Sequence, residues 1–140
     1  ETLGRQAIIG NIPLSIENNE LMWLNYLTFQ KKSFFNHEIV NSFSKVLSEL
    51  IIVDWKNEGS MGDFNTDLIT SLENKINISL IPFGGMNDIK KLEKLYSLPL
   101  ISAIAIGNSL NYKEHSIQNI KNKLASSFLR PSYYQNSIME

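Results

Sequence analysis

The sequence predicts an α/β domain of four parallel βα units, with a β-hairpin inserted after the first strand. Short apolar runs without strict polar alternation are typical of strands buried on both faces, and here they alternate with amphipathic helical patterns. Right-handed crossovers through those helices would place the strands side by side in a parallel sheet. In chain order, the four predicted strands are Ala7–Ile12, Leu50–Trp55, Ile78–Phe83 and Ile101–Ile106.

Each apolar run is followed by apolar residues that are spaced three or four apart, which puts one apolar stripe on each predicted helix. After the third run, for example, this spacing is carried by Ile89, Leu92 and Leu95. Polar residues that can accept hydrogen bonds from free helix N–H groups precede the stripes. The predicted N-caps are Asn36, Asn65 or Thr66, and Asn87.

Residues 17–35 interrupt the alternation, and the stretch ELMWLNYLTFQKKSFFN indicates a hairpin between the first strand and its helix. Its aromatic side chains either fill the core or form a lid over a ligand. These residues are Trp23, Tyr26, Phe29, Phe34 and Phe35.

The composition favours one globular domain over residues 1–140. Hydrophobic residues make up 43% of the chain and charged residues 19%, and no boundary or low-complexity run divides it. A net charge of −1 gives no general attraction to nucleic acid or to anionic membrane, so neither is an expected partner. The absence of cysteine excludes disulfides and thiolate chemistry and suits a cytoplasmic location. No metal-ligand spacing or cofactor motif is present, and no cofactor is expected.

Glycine turns follow the third and fourth predicted strands. Each turn leads into a helix, and N–H groups of two neighbouring turns can together bind one phosphate. The alternative is that both are tight turns packed against their neighbours. The predicted phosphate-binding residues are Gly84, Gly85, Gly107, Asn108 and Ser109.

Several stretches resemble one family. LIPFGGMNDIKKLEKL, followed by AIAIGNSLNYKEHSIQNIKNKL, resembles the closing quarter of the cyclase subunit of imidazole glycerol phosphate synthase. GRQAIIGNI is similar to the fifth strand of that family, and LIIVDWKNEGSMGDFNTDLI to its sixth strand and the following loop. The resemblance covers nearly all of residues 4–125. It implies that the four units are the second half of a TIM-type barrel of eight units, from a lyase of histidine biosynthesis.

The resemblance also implies residue roles. The family's glycine turns bind a substrate phosphate, and its catalytic pair is two aspartates, on strands one and five. Strand one has no counterpart here, and the strand-five position corresponds to Pro13, so little cyclase activity is expected of this chain alone. Asp54 and Glu58 are the remaining acidic candidates, because they align with polar positions at the end of strand six and in its loop.

Three interpretations stay open at this point: a cyclase-type enzyme, a non-catalytic phosphate-binding module, and a scaffold without a ligand. The family includes relatives linked to amidation of surface-polysaccharide sugars, and this chain could be part of such a protein. The partners implied are a phosphorylated small molecule, a glutaminase subunit that supplies ammonia, and either a second copy of the chain or a missing N-terminal half-barrel.

Overall fold

The computed structural model describes residues 4, 8–34, 37–60, 63–112, 116–124 and 129–130. Its central feature is a five-stranded mixed sheet with the strand order β3-β2-β1-β4-β5. The strands are β1 (Ile9–Glu17), β2 (Glu20–Asn25), β3 (Gln30–Ser33), β4 (Glu49–Asp54) and β5 (Ser79–Phe83). The helices are α1 (His37–Val46), α2 (Asp67–Leu72), α3 (Ile89–Tyr96) and α4 (Ser116–Leu124), with a 3₁₀ helix at Asn108–Tyr112.

The sheet is only partly parallel. β1, β4 and β5 run parallel, with Ile12 opposite Ile52 and Ile52 opposite Pro82. β2 and β3 are antiparallel, and β2 pairs with β1 on the side away from β4. The prediction of four parallel βα units that form half of a TIM-type barrel is therefore wrong. The strands of the insert occupy the free side of β1 and extend the sheet with antiparallel pairing.

The fourth apolar run does not form a strand. Residues 101–106 make only two isolated bridges to β5, Leu80 to Ile101 and Phe83 to Ala105. Leu80 and Phe83 are three residues apart in β5, whereas their partners Ile101 and Ala105 are four residues apart. One extra residue therefore interrupts the pairing, as in a β-bulge. Backbone hydrogen bonds remain at the two bridges, where Leu80 N donates to Leu100 O and Ala105 N donates to Pro82 O.

The insert contributes differently to the core along its length. Phe34 is buried, and Trp23 is partly buried against the core. Tyr26 and Phe29, in the turn between β2 and β3, are exposed. Phe35 lies outside the described residues. Some of these side chains therefore pack in the core and others are exposed, so neither of the two predicted roles, core packing or a lid, applies to all of them.

The predicted helix starts have different outcomes. Asn36 lies outside the described residues. Thr66 is the N-cap of α2 but makes no capping hydrogen bond through its side chain, whereas the side-chain oxygen of Asn65 accepts a hydrogen bond from Asp67 N at 3.0 Å. The first turn of α2 is therefore satisfied by Asn65, one of the two residues predicted there.

The core lies on one face of the sheet. Alternate strand residues such as Leu14, Ile52 and Leu80 pack there against α2 and α3, which contribute Leu68 and Leu92. Side chains alternate between the faces of a sheet, so the intervening residues point to the opposite face. We call that opposite face of β1, β4 and β5 the open face. It is unevenly covered: Pro13, Ser15 and Val53 are buried there, whereas Ile51, Ile81 and Phe83 are half-buried and Ile9 is 51% exposed.

Within the described residues, no helix has the length and apolar character needed to cross a membrane.

Candidate functional site

The two predicted glycine turns lie at the same edge of the sheet. Gly84 directly follows β5, and Gly107 follows the segment whose Ala105 is bridged to Phe83. A Cβ atom at Gly107 would lie 3.2 Å from the ring of Phe83, so the second turn packs directly beside the end of β5. Asn108 and Ser109 open the 3₁₀ helix that follows. The structure thus places the Gly107-Asn108 turn beside Phe83, the residue before Gly84, while whether these turns bind phosphate stays a prediction.

Gly84 is required by the fold. It is buried and has a φ of 105°, a conformation that only glycine adopts readily. A Cβ atom at this position would lie 2.9 Å from the carbonyl oxygen of Asp54. Close contact between the end of β5 and the end of β4 therefore explains this glycine, in agreement with the tight-turn alternative.

Gly85 is more accessible than Gly84, and two hydrogen bonds fix its backbone. Its φ is 66°, and its carbonyl oxygen accepts hydrogen bonds from Phe64 N and Asn87 N, both at 3.0 Å. Gly85 is half-buried, and Gly107 and Asn108 are exposed. A ligand at this edge would therefore meet Gly85, Gly107 and Asn108, which we call the glycine edge.

The free N–H groups and the positive dipole end at the start of α3 already interact with a carboxylate of the chain. The N-cap is Asp88, whose side chain accepts a hydrogen bond from Lys90 N at 2.9 Å. The prediction of Asn87 as the cap is therefore wrong. Because a carboxylate at a helix N-terminus satisfies a free donor and interacts favourably with the helix dipole, it leaves little of that end for a ligand. An anion at the glycine edge would be bound by the turns and not by α3.

Asp54 lies at the end of β4 and is only 2% exposed. Its Oδ2 accepts hydrogen bonds from Asn57 Nδ2 at 2.7 Å and from Asn65 N at 2.8 Å. Its carbonyl oxygen accepts hydrogen bonds from the backbone N–H groups of Asn57 and Glu58. These bonds fix the loop between β4 and α2, so the visible role of Asp54 is structural.

Glu58, the other acidic candidate, lies in the exposed turn after β4 and interacts with the insert. Burial raises the pKa of Tyr26 above its ordinary value, and the negative charge of Glu58 and a hydrogen bond to Glu58 raise it further. Glu58 and Tyr26 therefore connect the loop after β4 to the β2–β3 turn. This contact accounts for Glu58 without a ligand.

Pro13 is buried in the middle of β1, opposite Val53. The position that corresponds to the family's strand-five aspartate thus carries no group that can accept or donate a proton. On the same face of β1, Ser15 is 2% exposed, and its hydroxyl oxygen lies 3.5 Å from a carboxylate oxygen of Glu17. Along β1 itself, Glu17 is the first acidic side chain after Pro13.

A cluster of charged residues beside Trp55 was not found by sequence reasoning. Lys31 Nζ and Lys56 Nζ lie 2.7 and 2.9 Å from the same oxygen of Glu17. Both ammonium groups also lie over the Trp55 ring, 5.2 and 5.7 Å from its centroid, where cation–π attraction operates. Hydrogen bonds from Lys31 and then Lys56 lower the pKa of Glu17. We call these four residues the lysine clamp. Apart from the neighbours Trp55 and Lys56, its members are far apart in the sequence, and only the register of the hairpin could have indicated their proximity.

A cavity of about 380 Å³ lies between α3, α4 and residues 102–110, and its lining residues Ile106 and Leu110 flank the Gly107-Asn108 turn in the sequence. Its walls are mainly apolar and include Leu92, Ile104, Ile106 and Ile120. Such walls do not suit a phosphate, so the cavity is not assigned to the predicted site. Among the described residues, no group of three histidine, cysteine, aspartate or glutamate side chains is placed to bind a metal ion.

No model of a known protein family matches the sequence, and no curated protein is significantly similar to it.

Proposed function

We propose that the protein binds a phosphorylated small molecule at the glycine edge and does not catalyse a cyclase reaction by itself. The observation that carries the proposal is the placement of the Gly84-Gly85 and Gly107-Asn108 turns side by side at the end of β5. The resemblance of these turns to the phosphate-binding turns of the cyclase subunit of imidazole glycerol phosphate synthase supports it.

The chemistry of the glycine edge suits a phosphate group. Residues without side chains let phosphate oxygens approach the main chain closely, and consecutive backbone N–H groups can form a concave anion site. Asn108 adds a side-chain amide that can donate hydrogen bonds. Two turns that meet at one edge would bind a phosphate better than one, because their donors converge from different directions.

The rest of the ligand would lie against the ring of Phe83. This side chain is half-buried on the open face and touches the position of Gly107. A small sugar phosphate would place its charged end on the turns and its ring or carbon chain on Phe83. We therefore expect phosphate esters of small sugars to bind more tightly than inorganic phosphate.

The candidate residues provide no general acid or base for the cyclase reaction. A general acid or base must lie within hydrogen-bonding reach of the proton it transfers. Pro13 has no titratable group, Asp54 is enclosed by Asn57 and Asn65, and Glu58 interacts with Tyr26. The purified chain should therefore show no ammonia-dependent cyclase turnover, and measurable turnover that Asp54→Asn abolishes would contradict this part of the proposal.

Replacement of Asn108 by aspartate tests the binding site. A negative charge about 5 Å from a phosphate costs roughly 3 kcal/mol at an effective dielectric constant of about 20. Even with strong solvent screening, Asn108→Asp should weaken binding of ribose 5-phosphate at least tenfold, as measured by isothermal titration calorimetry. Asn77→Asp is the matched control, because Asn77 is exposed and lies just before the opposite end of β5. Equal affinities of both variants and the wild type would place the site elsewhere.

A further inference from the structure

The turn between β2 and β3 exposes more apolar surface than a connecting turn normally does. Leu27 is 93% exposed, Phe29 is 78% exposed and Tyr26 is 48% exposed. These residues stand close together in one turn of four residues, with only Thr28 between Leu27 and Phe29. Clustered apolar exposure of this kind marks a surface that another apolar phase covers. We call residues 26–29 the apolar tip.

The backbone of the apolar tip is partly satisfied from within. The side-chain oxygen of Asn25 accepts hydrogen bonds from Leu27 N at 2.9 Å and from Thr28 N at 3.4 Å. A backbone N–H group that enters an apolar phase without a partner carries a large free-energy penalty. Asn25 removes that penalty for two N–H groups of the tip.

The stability of the fold does not explain why a phenylalanine occupies position 29 of the turn. Its φ of 54° lies in the left-handed region, which is uncommon for a bulky side chain and suits glycine or asparagine. The side chain is mostly exposed, so packing does not compensate for that conformation. A residue that is both strained and exposed is best explained by an interaction outside the described chain.

Basic residues follow the apolar tip directly. Lys31 and Lys32 are adjacent in β3, and both are exposed. Lys56 joins Lys31 at the lysine clamp, where Glu17 offsets one of the two charges. Glu58, which contacts Tyr26, offsets a second charge, so Lys31, Lys32 and Lys56 leave a local net charge of about +1 beside the tip, against −1 for the whole chain.

We propose that the apolar tip inserts into the surface of a membrane that contains anionic lipids. Asn25 already satisfies two N–H groups of the tip, which lowers the cost of entering an apolar phase that offers no hydrogen bonds. Lysines beside an apolar segment interact with anionic headgroups near the surface. This inference differs from the expectation based on net charge, because a membrane surface responds to the local charge within about one Debye length.

Vesicle sedimentation tests the proposal with the full chain. The wild type should sediment with vesicles of phosphatidylcholine and phosphatidylserine, less with phosphatidylcholine alone, and less as salt is raised. The double variant Leu27→Ser, Phe29→Ser should bind at least tenfold more weakly. Val46→Ser is a control, because Val46 at the end of α1 is an apolar residue with 55% exposure outside the tip. Failure of the wild type to bind either vesicle, or equal binding by the double variant, would overturn the proposal and leave a protein pocket as the occupant to seek.

Phe29→Gly separates membrane binding from folding. Glycine suits the left-handed backbone, so this variant should unfold at the same temperature as the wild type or a higher one, while its vesicle binding falls several-fold. Lys32→Glu should weaken binding to anionic vesicles more than Lys123→Glu, which makes the same charge change on α4. If Phe29→Gly bound vesicles like the wild type, or if the two lysine variants bound equally, the tip would not be the membrane contact.

Discussion

At the scale of single residues, two glycines share an unusual backbone conformation but differ in surroundings. Gly84 has a φ of 105° and Gly59 a φ of 70°, so any other residue at either position is strained. A Cβ atom at Gly59 would meet none of the described residues within 4 Å, whereas one at Gly84 would meet the carbonyl oxygen of Asp54 at 2.9 Å. The pair therefore separates the effect of backbone strain from that of packing between β4 and β5.

We expect Gly84→Ala to destabilise the protein more than Gly59→Ala. The left-handed conformation costs an alanine about 1 kcal/mol at either site. At Gly84 the Cβ must also displace the backbone at the end of β4, which brings the expected loss in the free energy of unfolding to about 2–4 kcal/mol. Urea unfolding of both variants measures this difference. Equal losses would mean that β4 and β5 adjust freely at this edge.

At the scale of secondary-structure elements, the lysine clamp joins three parts of the chain. Glu17 ends β1, Lys31 lies in β3, and Lys56 follows β4. β3 is the outermost strand, and all four of its residues are exposed, so it gains little from burial. The clamp ties this edge strand to the loop after β4, and Trp55 provides the surface on which both lysines rest.

The contribution of Glu17 to stability should depend on pH. Its pKa is lowered in the folded state by Lys31 and Lys56. The carboxylate therefore stabilises the fold above its ordinary pKa of about 4.5, and this contribution is lost as the pH falls through the lowered value. Glu17→Gln should thus be less stable than the wild type at pH 7, and the difference should shrink as the pH falls through the lowered pKa, as measured by urea unfolding. Because the carboxylate remains accessible to solvent, the difference at pH 7 should be small and should shrink in high salt. A difference that persists unchanged in acid would contradict a charge-based role.

At the scale of the whole molecule, the sheet is covered unequally. α2 and α3 bury one face, while the open face keeps Ile9 51% exposed and Ile51 and Ile81 half-buried. A half-barrel would have self-associated through free edges, one of them the first strand near Ala7–Ile12. β1 instead lies between β2 and β4, and the outer strand β3 is short and carries two lysines, which discourages edge pairing. The other outer strand, β5, is bridged at two points by residues 101–105. We therefore expect a dimer to form through the open face.

Self-association stays a prediction, now placed on the open face. Sedimentation velocity at micromolar concentration should show a dimer of the wild type. Ile9→Lys should shift it to the monomer, because a charge on the open face cannot be buried without a partner. Ile117→Lys on α4 is the matched control, since Ile117 is 49% exposed and lies outside that face. A monomeric wild type with a cooperative thermal transition would contradict the dimer.

Most of the local structure follows from the amino-acid sequence alone. Runs of β-branched residues indicate β4 and β5 to within one residue, and apolar spacing indicates α2, α3 and α4, because these patterns depend on neighbours along the chain. The glycine pair at residues 84–85 also predicts a turn correctly, since consecutive positive φ angles favour glycine. The Gly107 turn was predicted to follow a fourth strand, which does not form.

The way these elements combine depends on the tertiary structure. Whether β2 pairs beside β1 cannot be read from residues 17–35, because strand pairing depends on a free edge for which distant segments also compete. The bulge that prevents a fourth strand at residues 101–106 comes from a mismatch with β5, not from local propensity. The lysine clamp joins residues from β1, β3 and the loop after β4, and the strain at Phe29 exists only because the turn has a fixed geometry. Local patterns reflect interactions between residues that are close in the sequence. Sheet order, register and exposed surface depend instead on contacts between distant residues that only folding brings together.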